Sequence, residues 1–112
     1  MKKITITYPH SNDKVWALNL VEGFVSKVGI PVQVYIFCND SKWYLQPPVT
    51  FNNAFWRCYC HFGDDESVDG DAFKVAVVES LDRPKSPVDI LDNIVDQIFV
   101  TLITSWDQLH RG

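Results

Sequence analysis

The residues best suited to chemistry sit near the middle of the chain. Cys58, Cys60 and His61 stand together, with Cys38 upstream. Thiolates and imidazoles bind zinc, and a structural zinc site gathers four of them, commonly from CxxC pairs. Here the spacing is C-x-C within Ala54–Phe62, a run that reads as a strand. On a strand Cys58 and Cys60 point to one face and His61 to the other. Cys38 would add a third thiolate only if its strand lay beside 54–62. Burial is the more ordinary fate of free cysteine, and side chains two apart on a strand sit too far apart for disulfide geometry. The residues therefore suggest structural thiols, with no metal and no cofactor.

The acidic loop is the second place. Five of the 14 acidic residues lie in Asp64-Asp65-Glu66-Ser67-Val68-Asp69-Gly70-Asp71. A calcium loop of the EF-hand type needs acids at fixed positions, a glycine at the sixth and flanking helices. That spacing is absent and the flanks read as strands, so a solvated hairpin loop is expected. His10, His61 and His110 could serve nucleophilic catalysis, but none stands in a nucleophile elbow, a Cys-His signature or a phosphate loop. No catalytic constellation emerges, and the expectation is a protein that is not an enzyme.

Aromatics are the third place, and the most informative. Eleven of the 15 lie between Phe24 and Phe73. Strand parity sorts those around Trp56. If Trp56, Cys58, Cys60 and Phe62 face the core, then Phe55, Arg57, Tyr59 and His61 face outward. A row of Phe, Arg, Tyr and His is unusual on a bare sheet face. Together with Tyr44 it could stack on a sugar, a planar ligand or a partner protein. The competing reading is that segment 87–109 or a second subunit covers the row.

These side chains need elements to hold them. Strand-like runs lie at Ile4–Tyr8, Lys14–Val25, Pro31–Cys38, Lys42–Gln46, Ala54–Phe62 and Ala72–Glu79, separated by turn residues such as Pro9, Asn39-Asp40-Ser41, Pro47-Pro48 and Asn52-Asn53. Gly23 inside the second run suggests a bulge or a strand end. The pattern is that of an all-β sandwich or barrel. The tail differs. Ser86-Pro87-Val88-Asp89 has the chemistry of a helix start, and Ile90, Leu91, Ile94, Val95 and Ile98 share a helical face. Yet Ile98–Thr104 alternates equally well as a strand. Either one helix spans about 87–109, or a short helix ends near 96 and a final strand runs over 97–105. A seven-stranded sandwich needs a last strand beside 72–79, which favours the second. The expected fold is mainly β: one domain over 1–112, a single antiparallel β-sandwich of about 6–7 strands with its core at 4–79, and a short helix near the C-terminus.

The order of landmarks resembles bacterial immunoglobulin-like or fibronectin-type-III-like modules. They are a first strand ending at Pro9, a strand containing Gly23, Val32-x-Val34, Trp43, Trp56, and Phe73-x-Val75-x-Val77. Trp43-Tyr44-Leu45-Gln46-Pro47-Pro48, with Trp56 and Phe62-Gly63, is also similar to small bacterial hypothetical proteins of this type, some carried on mobile gene cassettes. The resemblance covers residues 4–79 and implies a sandwich and a binding-module habit. It implies no catalytic residues, because fold does not fix function. The tail departs from the pattern, since about 15 residues precede the final strand.

Composition narrows the partners. The chain has 112 residues, 10 Lys and Arg against 14 Asp and Glu, and a net charge of −4. No basic patch offers phosphate neutralisation, so nucleic acid is not expected. No apolar run reaches the length of a membrane span. Three cysteines, an odd number, suit a reducing, cytoplasmic setting. The expected function is a non-catalytic binding or interaction module. Tyr44, Phe55, Arg57, Tyr59 and His61 would contact a protein partner, or a second copy in a homodimer. The alternative is a small-ligand or carbohydrate binder using the same face; a third reading is a metal-dependent enzyme using Cys58, Cys60 and His61.

Overall fold

Alternating β-branched and polar residues favour pleated strands, and nine strands form among the described residues. In chain order they are β1 (Ile4–Tyr8), β2 (Lys14–Val15), β3 (Leu18–Val25), β4 (Gln33–Phe37), β5 (Trp43–Leu45), β6 (Thr50–Asn52), β7 (Phe55–His61), β8 (Ala72–Val78) and β9 (Ile94–Leu102). The computed structural model describes residues 2–63, 67–83 and 86–104. The first sheet has the order β1-β3-β7-β6 and the second β2-β9-β8-β4-β5. Every pairing is antiparallel except one, because β2 runs parallel to β9.

The inward residues of both sheets meet in one core. Ile4, Val21, Trp56, Cys58 and Cys60 come from the first sheet, and Val34, Ile36, Val75, Val77 and Val100 from the second. Gly23 lies inside β3, opposite Trp56. A Cβ there would fall 2.6 Å from Trp56 Cζ2 and collide with the Thr5 carbonyl. The glycine therefore admits the indole and is not a strand end. A bulge does lie beside it: Ile6 pairs with Gly23 and Tyr8 with Glu22, so the extra residue is Thr7 on β1, and a second register shift falls between Val77 and Val78.

Three expectations need correction. The count of 6–7 antiparallel strands becomes nine with one parallel pair. Residues 14–25 divide at Trp16-Ala17, so that β2 joins the second sheet and β3 the first. Part of that larger count is the short edge strand β6, which takes in Asn52 from the expected turn; its three residues, all exposed, carry no alternation to reveal them.

The third correction is the helix. No helix occurs among the described residues. The Ser86 hydroxyl accepts the Leu45 N–H at 2.9 Å instead of capping a helix. Val88 exchanges both backbone hydrogen bonds with Trp43, at 2.8 and 2.9 Å. Val88 and Leu91 pack against Tyr35, Trp43, Ala76 and Val78 on the outer face of the second sheet. A short isolated helix is marginal in water, whereas the open edge of β5 supplies backbone partners and an apolar strip. The final strand is present and pairs with β8, as expected, but it begins at Ile94 and ends at Leu102. The described part of segment 87–109 thus covers the second sheet, not the Phe55–His61 row. Residues 105–109 lie outside the described residues.

Candidate functional site

Strand β7 carries the predicted row, and its alternation is clean. Trp56, Cys58 and Cys60 are buried, while Phe55, Arg57, Tyr59 and His61 are exposed. Phe55 and Tyr59 keep 64% and 58% of their surface exposed. With Leu18, 56% exposed, they begin a contiguous apolar patch, which is the informative feature of a surface.

Register extends the row across the sheet. On β3, Phe24 faces Phe55, Glu22 faces Arg57, Leu20 faces Tyr59 and Leu18 faces His61. Thr5 lies beside Phe24 on β1, and Thr50 and Asn52 lie beside Arg57 and Phe55 on β6. The outer face of the first sheet is therefore an apolar band between polar flanks. At its centre Arg57 Nη2 lies 3.6 Å from Glu22 Oε2. A shallow depression of about 540 Å³ adjoins this pair, with Phe51, Phe55 and Trp56 in its wall. The Trp56 Nε1 donor is buried with no hydrogen-bond partner among the described residues. Sequence reasoning found the β7 half of this face. It missed Leu18, Leu20, Glu22 and Phe24, because which strand neighbours β7 is not a local property.

Tyr44 does not belong to this face. It lies on β5 in the second sheet, where its hydroxyl donates to Asp40. It meets His61, the last residue of β7, in a cleft of about 830 Å³ where the two sheets part. Asp40, Asp71 and Arg83 bring both signs of charge to the cleft, and Phe73 and Leu45 bring apolar surface. Gln46 ties the two sheets together there. Its side-chain carbonyl accepts the His61 N–H at 2.7 Å, its amide donates to the Tyr44 carbonyl at 3.1 Å, and its own carbonyl accepts Arg83 Nη2 at 2.8 Å. The five predicted residues are thus divided: Phe55, Arg57 and Tyr59 lie on the open face, and Tyr44 and His61 at the cleft. Nothing in local sequence marked Gln46, Asp40 or Arg83.

Cys58 and Cys60 lie in the core, and Cys38 is half-buried at the cleft. Cys60 Sγ donates to Cys58 Sγ at 3.6 Å, and Cys58 Sγ to the Pro47 carbonyl at 3.2 Å. The hydrogen bond from Cys60 holds the Cys58 thiol below its ordinary range against the opposing effect of burial, with Arg83 assisting. Cys60 is pushed up by that same bond, by burial and by repulsion from Cys58. Cys38 follows β4, whose neighbours are β5 and β8, so its strand is not beside 54–62. Among the described residues no three His, Cys, Asp or Glu side chains gather as a metal-ligand set.

Asp64 and Asp65 lie outside the described residues, as does His110. In the described part of the acidic loop, Asp71 accepts the Val68 N–H at 3.0 Å and Asp69 the Thr104 N–H at 3.0 Å. His10 Nδ1 lies 3.7 Å from Asp13 Oδ2 at an exposed turn. Among the described residues no helix is long and apolar enough to cross a membrane. Set against protein-family models, curated proteins and solved structures, the chain matches none.

Proposed function

We propose that the chain is an immunoglobulin-like β-sandwich that works as a non-catalytic binding module through the outer face of its first sheet. The strand order supports the fold reading. With β1, β3, β4, β6, β7, β8 and β9 taken as strands A to G, the sheets read A-B-E-D and G-F-C. That is the order of an immunoglobulin-type sandwich, with β5 beside strand C. The observation that carries the function is the asymmetry of the two outer faces. Val88 and Leu91 cover the second sheet around Tyr35, Trp43, Ala76 and Val78 and leave Phe99 half exposed, while both Phe55 and Tyr59 lie open on the first. Open apolar faces of this kind mark interaction surfaces.

The test compares the full chain with Phe55→Ser/Tyr59→Ser in two settings. One is concentrated purified protein; the other is trace labelled protein diffusing in cell extract. A difference in sedimentation or diffusion in either setting supports the reading. Identical behaviour in both overturns it.

A second reading is a small-ligand binder, favoured by the cleft that Tyr44 and His61 share. At about 830 Å³ it has the size of a small-molecule site. A thermal-shift panel of sugars and metabolites addresses it. Any hit should be lost in His61→Ala, and a hit that survives both that change and Tyr44→Phe would place the ligand elsewhere.

A further inference from the structure

We infer that the occupant of this open face is a second copy of the chain, docked about a two-fold axis parallel to the strands and midway between β3 and β7. The inference rests on the reading of the face as the interaction surface. It comes from self-complementarity, which a two-fold contact demands: residue i of one copy meets residue j of the other, and j meets i.

The register supplies such pairs. A half-turn about an axis between β3 and β7 exchanges the two strands. Each β3 residue then lies over the β7 residue that it faces within its own sheet. Phe24 meets Phe55 of the second copy, Leu20 meets Tyr59, and Glu22 meets Arg57, each pair occurring twice. Apolar groups meet apolar groups, and four charges close a ring in which neighbours are opposite in sign. An axis running across the strands would instead set Glu22 on Glu22 and Arg57 on Arg57. Charge therefore chooses between the two symmetric packings.

The chain carries a net charge of −4, yet the charged residues that register pairs on this face are one carboxylate, Glu22, and one guanidinium, Arg57. Two copies can thus approach across this face without a repulsive excess. Two sheets stacked face to face leave about 10 Å between them, enough for both sets of side chains. The four strands, of five, eight, seven and three residues at about 3.3 Å per residue and about 4.8 Å apart, make a patch of roughly 360 Å². Two such patches enclose roughly 700 Å² in flat projection, the size of a weak, transient contact. The dimer is therefore weak and depends on concentration.

Sedimentation velocity with light scattering, on the full chain over a concentration series, tests this. The mass of the wild type should rise reversibly from 12.9 kDa toward twice that value. Arg57→Glu and Glu22→Arg should each weaken association by at least about tenfold. An equimolar mixture of the two variants should restore it, and so should both changes in one chain. Circular dichroism checks folding. If a reversed-charge chain does not fold, Phe55→Ser takes its place and should also abolish the dimer. A wild type that stays monomeric up to about 1 mM, single reversals without effect, or a mixture that fails to associate would each overturn the inference. A monomeric wild type whose slowed diffusion in extract is lost in Phe55→Ser/Tyr59→Ser would leave the binding reading standing with a different partner.

Discussion

Gly23 and the thiol pair show how single residues set the inner face of β7. The Trp56 ring lies over Gly23, and no backbone strain is involved; what the position lacks is room for a methyl group. Gly23→Ala should cost about 1–3 kcal/mol through overpacking, read as a lower denaturant midpoint at unchanged slope. Cys60 and Tyr35 set the response to alkali. Burial pushes up the Tyr35 hydroxyl, with Arg83 opposing, and the Cys60 thiol is raised as well. Both stay protonated in the folded chain at pH values where they ionise when unfolded. Their stabilising effect is complete below the ordinary values of 9.0 and 10.0 and is lost as pH rises beyond them. Cys58, lowered in the fold, works in the opposite direction. The denaturant midpoint should therefore fall as pH climbs past the thiol and phenol range. Cys60→Ala should lower stability at neutral pH and flatten that alkaline slope; an equally steep slope would exclude Cys60 as its source. Much at this scale was legible in the sequence. The inward and outward sides of β7 follow from period two alone. The position of Tyr44 does not, since it depends on which sheet β5 joins.

At the scale of elements, segment 86–93 is decisive. Its capping residues and apolar period argue for a helix, and both signals are real in isolation. The edge of β5 overrides them by offering Val88 two backbone hydrogen bonds and an apolar strip beneath. Val88 also blunts that edge against pairing with other chains. Val88→Pro removes one donor and should cost about 1–2 kcal/mol. Amide exchange at Trp43 should quicken, while the amides of Val21 in β3 and Cys58 in β7 keep their protection. Uniform loss of protection across both sheets would show that the strap holds the whole fold and not one edge. The short strands β2 and β6 were illegible for a related reason. Two or three residues carry no period, and their pairing depends on partners far along the chain.

At the scale of the molecule, the two sheets share one core but have unlike outer faces. The described part of the tail joins the second sheet through Val88 and β9, and Phe55 and Tyr59 of the first sheet stay exposed. Phe55→Ser/Tyr59→Ser should therefore leave the thermal midpoint nearly unchanged, within the equivalent of about 0.5 kcal/mol expected for exposed positions. A large loss would mean that these side chains are part of the fold's own packing. Composition and alternation by themselves determined a mainly β chain with a thiol-lined inner face and an aromatic outer row, because strand periodicity is written in neighbouring residues. Only the tertiary structure decided the strand order, the division of Tyr44 and His61 from Phe55, Arg57 and Tyr59, and the path of the tail. Those depend on pairings between residues distant in sequence, where backbone hydrogen bonds and apolar burial outweigh local propensity.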